Sequence, residues 1–226
     1  MGNATSASIT FNGLTYSSIG SIITLLNPDS SASDVSLFYI GTTPTNAISL
    51  GLVSSLPSSS TVLTLIGYGE HRSGNVTSIA YTGGTANGYL WDGTSAKSWG
   101  LSLRNSGTDS LVQAPGANAF EAFSTTFHVT GGSNYTQAAL GDSGGGVFVE
   151  VGNTWELAGT INAIAGATGQ TANTAMAGDE TYLADMSVYA NQINALLVEE
   201  VPEPNLAWLL GAGLGVLGVA RRRQRR

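Results

Sequence analysis

Gly141-Asp142-Ser143-Gly144-Gly145-Gly146 places one hydroxyl among four glycines, directly after a carboxylate. A serine that attacks a carbonyl needs its hydroxyl exposed on a tight turn, and backbone N–H groups aimed at the oxyanion that forms. Glycine on both sides permits backbone angles closed to other residues and lets a substrate come close. Asp142 can anchor such a loop from behind, and if buried it calls for a cation, Arg72 or Arg104. The spacing therefore suits acyl transfer. The competing reading is a chance run in a chain rich in glycine and serine.

The elements that must position this serine are strands. Of the 226 residues only 10% are charged, and glycine numbers 30, a composition of short strands and turns rather than helical bundles. Ile19 to Leu26, closed by Asn27-Pro28-Asp29, reads as a strand and turn, and an aspartate leads the next strand, Ser33 to Phe38. Thr61 to Ile66 predicts a strand ending in Gly67-Tyr68-Gly69, and residues 73–95, rich in Gly, Ser and Thr, a hairpin or mobile loop. Phe120 to Val129 runs toward the serine. Beyond it, Val147–Val151 and Trp155–Ile161 form a natural hairpin with Gly152-Asn153 at the turn. Thr181 to Met186 reads as a last strand, and Val188 to Val198 has helical apolar spacing.

There is no cysteine, so no disulfide helps to hold the fold. Five of the eight basic residues are Arg221, Arg222, Arg223, Arg225 and Arg226, which leaves residues 1–220 with three basic and fifteen acidic side chains. An acidic body excludes the basic face that nucleic-acid binding needs.

The hexapeptide resembles the nucleophile motif of trypsin-like (chymotrypsin-fold) serine proteases, in which the last residue is usually proline rather than Gly146. Ser33-Asp34-Val35-Ser36-Leu37-Phe38 resembles that family's strand carrying the triad aspartate, and Gly67-Tyr68-Gly69 its entrance to the second barrel. The resemblance covers about residues 10–198. It implies an all-β chymotrypsin-like double β-barrel with a C-terminal helix. Residues 1–60 would be the remaining part of a first barrel, 61–198 the second barrel and helix, and 199–226 a sorting tail. It implies Ser143 as nucleophile, Asp34 as the orienter of a histidine, and the N–H groups of Gly141 and Ser143 as the oxyanion hole. Gln137 falls at the base of the specificity pocket, where trypsin has aspartate, and Asn162-Ala163-Ile164 replaces the usual Ser-Trp-Gly of the cleft wall. Ala139 stands where a cysteine often sits. The substrate would be a polypeptide, and neither a metal nor a cofactor is implied.

The general base is the gap. Of the two histidines, neither His71 nor His128 precedes Asp34, as the order His…Asp…Ser requires. His71 reads as a solvated loop residue and His128 as a strand residue. The base is therefore expected upstream of Met1, as is an export signal, because Met1–Ser8 has neither a basic nor an apolar region.

Val201-Pro202-Glu203-Pro204, an apolar run over residues 206–220 and the arginine cluster follow in that order. The prolines break structure, the run approaches the length of a spanning helix, and arginines after it stay on the cytoplasmic side. This looks like a PEP-CTERM sorting signal of exported proteins in Gram-negative bacteria. It implies an exosortase as partner, anchoring in the inner membrane through residues 206–220 before processing, and then the cell surface or the outside. An uncleaved membrane anchor is the alternative. For the body, three functions stand side by side. One is a secreted serine endopeptidase, inactive as given for want of its histidine. The second is a non-catalytic pseudoprotease at the cell surface or in the exopolysaccharide matrix, and the third an unrelated β-rich adhesin.

Overall fold

The computed structural model describes residues 6–107, 110–130 and 135–199. The strands are β1 Ser8–Phe11, β2 Leu14–Leu26, β3 Ala32–Ile40, β4 Gly51–Leu52, β5 Val62–Gly67, β6 Glu70–Tyr81 and β7 Gly84–Ser95. There follow β8 Ser98–Leu103, β9 Ser110–Gln113, β10 Ala119–Thr126, β11 Gly146–Val151, β12 Thr154–Ala165, β13 Thr174–Met176 and β14 Glu180–Asp185, then the helix α1 Met186–Glu199. The chain is all-β with a single C-terminal helix among the described residues. Residues up to Ala190 belong to one compact unit; Asn191 to Glu199 continue the helix.

The largest sheet runs β8-β5-β11-β12-β14-β10-β9, with β4 pairing in parallel to β12. Its far members meet: Arg104, just past β8, bridges to Thr125 of β10, and Asn105 N–H donates to the Ser124 carbonyl at 2.8 Å. The sheet thus curls back on itself, and alternate residues face its interior. Leu63 and Leu65 of β5, Val147 and Val149 of β11, Ile161 of β12 and Leu183 of β14 fill that interior. The β11–β12 hairpin turns at Gly152-Asn153 as the sequence predicts, with Gly152 at φ +65°.

A separate three-stranded sheet, β1-β2-β3, precedes it. The β1–β2 turn is Asn12-Gly13, both at positive φ, which matches the right-handed twist of a two-residue hairpin. A buried phenol helps to fix the start of β3. Tyr189 of α1 is fully buried; its hydroxyl accepts from Ser33 Oγ (2.9 Å) and from Glu121 N–H (3.0 Å), and donates to Asn27 Oδ1 (2.7 Å). Burial pushes this phenol up from its ordinary value, so it keeps the proton it donates. The helix itself starts on a buried cap, Asp185, whose carboxylate accepts from the Ser187 N–H and hydroxyl at 2.8 and 2.9 Å.

The third sheet, β13-β7-β6, is built on a long hairpin rather than a loose loop. Most residues of β6 are exposed, which is why the segment lacks the alternation that marks a half-buried strand.

Candidate functional site

The loop between residue 139 and β11 is held almost wholly by backbone. Asp142 N–H donates to the Ala139 carbonyl (3.1 Å) and Gly145 N–H to the Asp142 carbonyl (2.9 Å), two successive tight turns. Gly141 and Gly144 lie at φ +96° and +82°, angles that an L side chain rarely adopts. β12 clamps the loop from the other side: Gly144 N–H donates to the Ile161 carbonyl (2.7 Å), and Ile161 N–H to the Gly145 carbonyl (2.8 Å).

Asp142 anchors the loop from behind as expected, but with no cation among the described residues. Its carboxylate is buried and accepts from Gly69 N–H (2.6 Å) through Oδ1 and from Ala139 N–H (2.8 Å) through Oδ2. Arg104 instead donates to the Gly107 carbonyl (2.7 Å), and Arg72 lies against the Tyr89 ring. Two amide dipoles replace the expected ion pair. The carboxylate also explains Gly67-Tyr68-Gly69, because a Cβ on Gly67 or Gly69 would sit 2.7 or 2.6 Å from Asp142 Cγ.

The N–H groups of Asp142, Gly144 and Gly145 are therefore used. Those of Gly141 and Ser143 have no hydrogen-bond partner among the described residues, and the Ser143 side chain is exposed and equally unpartnered there. The loop thus carries two unspent donors and an open hydroxyl.

Asp34 lies on β3 with its side chain exposed, and its Oδ2 accepts from Asn162 Nδ2 at 3.2 Å. Asn162 in turn accepts from Thr160 Oγ1 at 2.8 Å, and it follows Ile161, the residue that clamps the loop. The structure thus brings Asp34, Asn162 and the Ser143 loop to one short stretch of β12, although 128 residues separate Asp34 from Asn162 in sequence. Asn162, expected in the wall of a substrate pocket, serves here as the donor that holds Asp34.

Gln137 lines a cavity of about 660 Å³ that reaches the loop from the side of Asp142; neither Ser143 nor Asn162 lines it. Gln137 Oε1 accepts from the buried Thr181 Oγ1 at 3.3 Å, and Thr181 Oγ1 accepts from Ala138 N–H at 3.1 Å. Both histidines line the same cavity: His71 is on β6, not in a turn, and His128 follows β10, its ring edge-on to Tyr135 with centroids 4.7 Å apart. Among the described residues neither histidine is hydrogen-bonded to Ser143 or Asp34, and no group of three or more acidic or imidazole side chains could hold a metal.

Sequence reasoning missed Tyr189 and Asn27, which fix the start of β3 one residue from Asp34. The helical spacing marked position 189 only as apolar; its hydroxyl was the available signal.

Residues 200–226 match the PEP-CTERM protein-sorting motif. No curated protein matches the chain. The motif implies export and recognition by an exosortase at the C-terminus. Pro202, Glu203, Pro204 and the apolar run 206–220 lie outside the described residues; among those described, no helix is long and apolar enough to cross a membrane.

Proposed function

We propose that the chain is the nucleophile-bearing part of an exported serine endopeptidase of the trypsin-like kind, cleaving polypeptides through an acyl-enzyme at Ser143. The observation that carries this is the division of labour along the loop. Every N–H from Asp142 to Gly145 is spent on the fold except that of Ser143, and the Gly141 N–H is unspent too, among the described residues. Donors left open on a rigid loop, next to an exposed hydroxyl, are what a developing oxyanion requires.

In this reading Ser143 Oγ attacks the scissile carbonyl, and the N–H groups of Gly141 and Ser143 receive the charge. The acyl-enzyme is then released by water. Asp34, held by Asn162, offers its other oxygen to an imidazole N–H and so sets the tautomer of a base. The proposed base is a histidine on a segment preceding residue 1, and the β1–β3 sheet would be the part of a first barrel that receives it. The tail, with Pro202, Glu203 and Pro204 as the recognised motif and 206–220 in the membrane, would deliver the protein to the exosortase. Alanine at all three motif positions should block its removal from an exported reporter.

A non-catalytic protein of the same fold at the cell surface is the second reading. It is favoured by the position of both histidines, on the cavity and unbonded to Ser143 or Asp34. Labelling with a fluorophosphonate, which needs an activated serine, separates the two. Loss of a triad member costs on the order of 10⁴–10⁶ in rate, so residues 1–226 alone should label negligibly. A form extended upstream should label, and Ser143→Ala should abolish the signal. An extended form that carries a histidine and stays unlabelled leaves the non-catalytic reading; strong Ser143-dependent labelling of residues 1–226 would overturn the assignment of the base.

A further inference from the structure

The cavity beside Asp142 is lined by both histidines and one of the three basic side chains of an acidic body. Before residue 221 the chain has three basic side chains, Arg72, Lys97 and Arg104, and two histidines, against fifteen carboxylates. Arg72, His71 and His128 line this cavity, and Lys97 directly precedes the lining residue Ser98. Arg72 lies with its guanidinium carbon 4.8 Å from the centroid of the Tyr89 ring, and it has no hydrogen bond or ion pair among the described residues. The ring holds the guanidinium by a cation–π contact that uses none of its five N–H donors. Such a fork matches the two oxygens of a carboxylate.

The opposing charges are few. Asp142 is already committed to two backbone N–H groups, and Asp92, beside His71, accepts from Thr94. Asp142 and Glu70 both line the cavity, and together they disfavour a second negative charge on a ligand. Trp91 and Trp99 supply flat apolar walls, and Trp99 is 71% exposed, open to a ring laid against it. A volume of about 660 Å³ is in the range of small-molecule sites.

We propose that this cavity binds a small aromatic monocarboxylate, its carboxylate on the Arg72 fork and its ring against the tryptophans. The site is distinct from the Ser143 hydroxyl and needs no catalysis to be tested. Isothermal titration calorimetry of the full chain with indole-3-acetate, with the neutral tryptophol and the cationic tryptamine as matched probes, reads it directly. Indole-3-acetate should bind with Kd below about 1 mM, and the other two at least about tenfold more weakly, since a charge-assisted fork is lost. Arg72→Gln, at an exposed position on β6, should weaken the acid about tenfold or more, Arg72→Lys should recover part of that, and Trp99→Ala should weaken it a few-fold. Equal or tighter binding of tryptophol or tryptamine, absence of any heat with the acid, or an Arg72→Gln variant that binds it unchanged would overturn the proposal.

Discussion

Ser143 and Asp34 are held in different ways. The loop carrying Ser143 is tied at Asp142, Gly144 and Gly145 by backbone hydrogen bonds of 2.7–3.1 Å, and the Asp142 carboxylate adds two more to main-chain N–H groups. Asp34 stands on a three-stranded sheet with Ile9, Leu14 and Ile19 exposed, and three side chains tie it to the rest of the chain: Tyr189 and Asn118 at Ser33, and Asn162 at Asp34 itself. Main-chain bonds on a closed sheet make the first region rigid by construction. The second depends on hydroxyl and amide groups that a single substitution can remove. In the proposed enzyme, the oxyanion donors would therefore be fixed before substrate arrives, while the orientation of the base would be the adjustable part.

Four measurements bear on that contrast. The largest effect is expected from Asp142→Ala, which strips the acceptor from two buried N–H groups. At about 1–3 kcal/mol for each unsatisfied group, urea denaturation should show a loss of roughly 3 kcal/mol. A loss below about 1 kcal/mol would mean that the loop does not rest on this carboxylate. Tyr189→Phe comes next. It removes one hydroxyl serving three partners, at an expected cost of about 2 kcal/mol, and hydrogen exchange should rise along β3 while the Ser143 loop keeps its protection. Equal loosening of both regions would break the comparison.

Asn162→Ala should cost less than about 1 kcal/mol, because its bond to Asp34 is exposed and long. In a labelling-competent form it should nevertheless slow reaction at Ser143. Unchanged labelling would detach Asp34 from the site. The smallest effect belongs to Asp179, a buried carboxylate that contrasts with Asp142. Its Oδ2 accepts from Met176 N–H (2.7 Å) and Gln170 Nε2 (2.8 Å), but Oδ1 is buried and has no partner among the described residues. Burial pushes this carboxyl above its ordinary 3.8. The native state then holds its proton to higher pH than the unfolded chain, so this group's contribution to stability falls as pH rises from the ordinary value through the raised one. Asp179→Asn should remove that decline, seen as a flatter plot of denaturation free energy against pH. An unchanged slope would show that the orphaned oxygen finds a partner in solution.

How far these arrangements were legible follows from what signals a sequence carries. The β11–β12 hairpin and the core strands were readable because alternate apolar residues face a closed sheet. The β6–β7 hairpin was only half readable, since a ribbon exposed along most of its length has no alternation to show. The partner of Asp142 was misjudged for a plain reason: main-chain N–H groups leave no mark in the side-chain sequence, so a buried carboxylate seemed to need a cation.

By itself, the sequence determined the strand-rich class, the glycine-flanked serine, the aspartate at the start of β3 and the C-terminal sorting motif. These are local properties, written in residue type, spacing and backbone permissiveness. Tertiary structure alone decided that Asn162 would hold Asp34, that Tyr189 would pin β3, and which N–H groups of the loop would stay open. Each of those depends on groups far apart in the chain meeting within hydrogen-bond distance, and only the closing of the sheet and the docking of the helix's first turns bring them there.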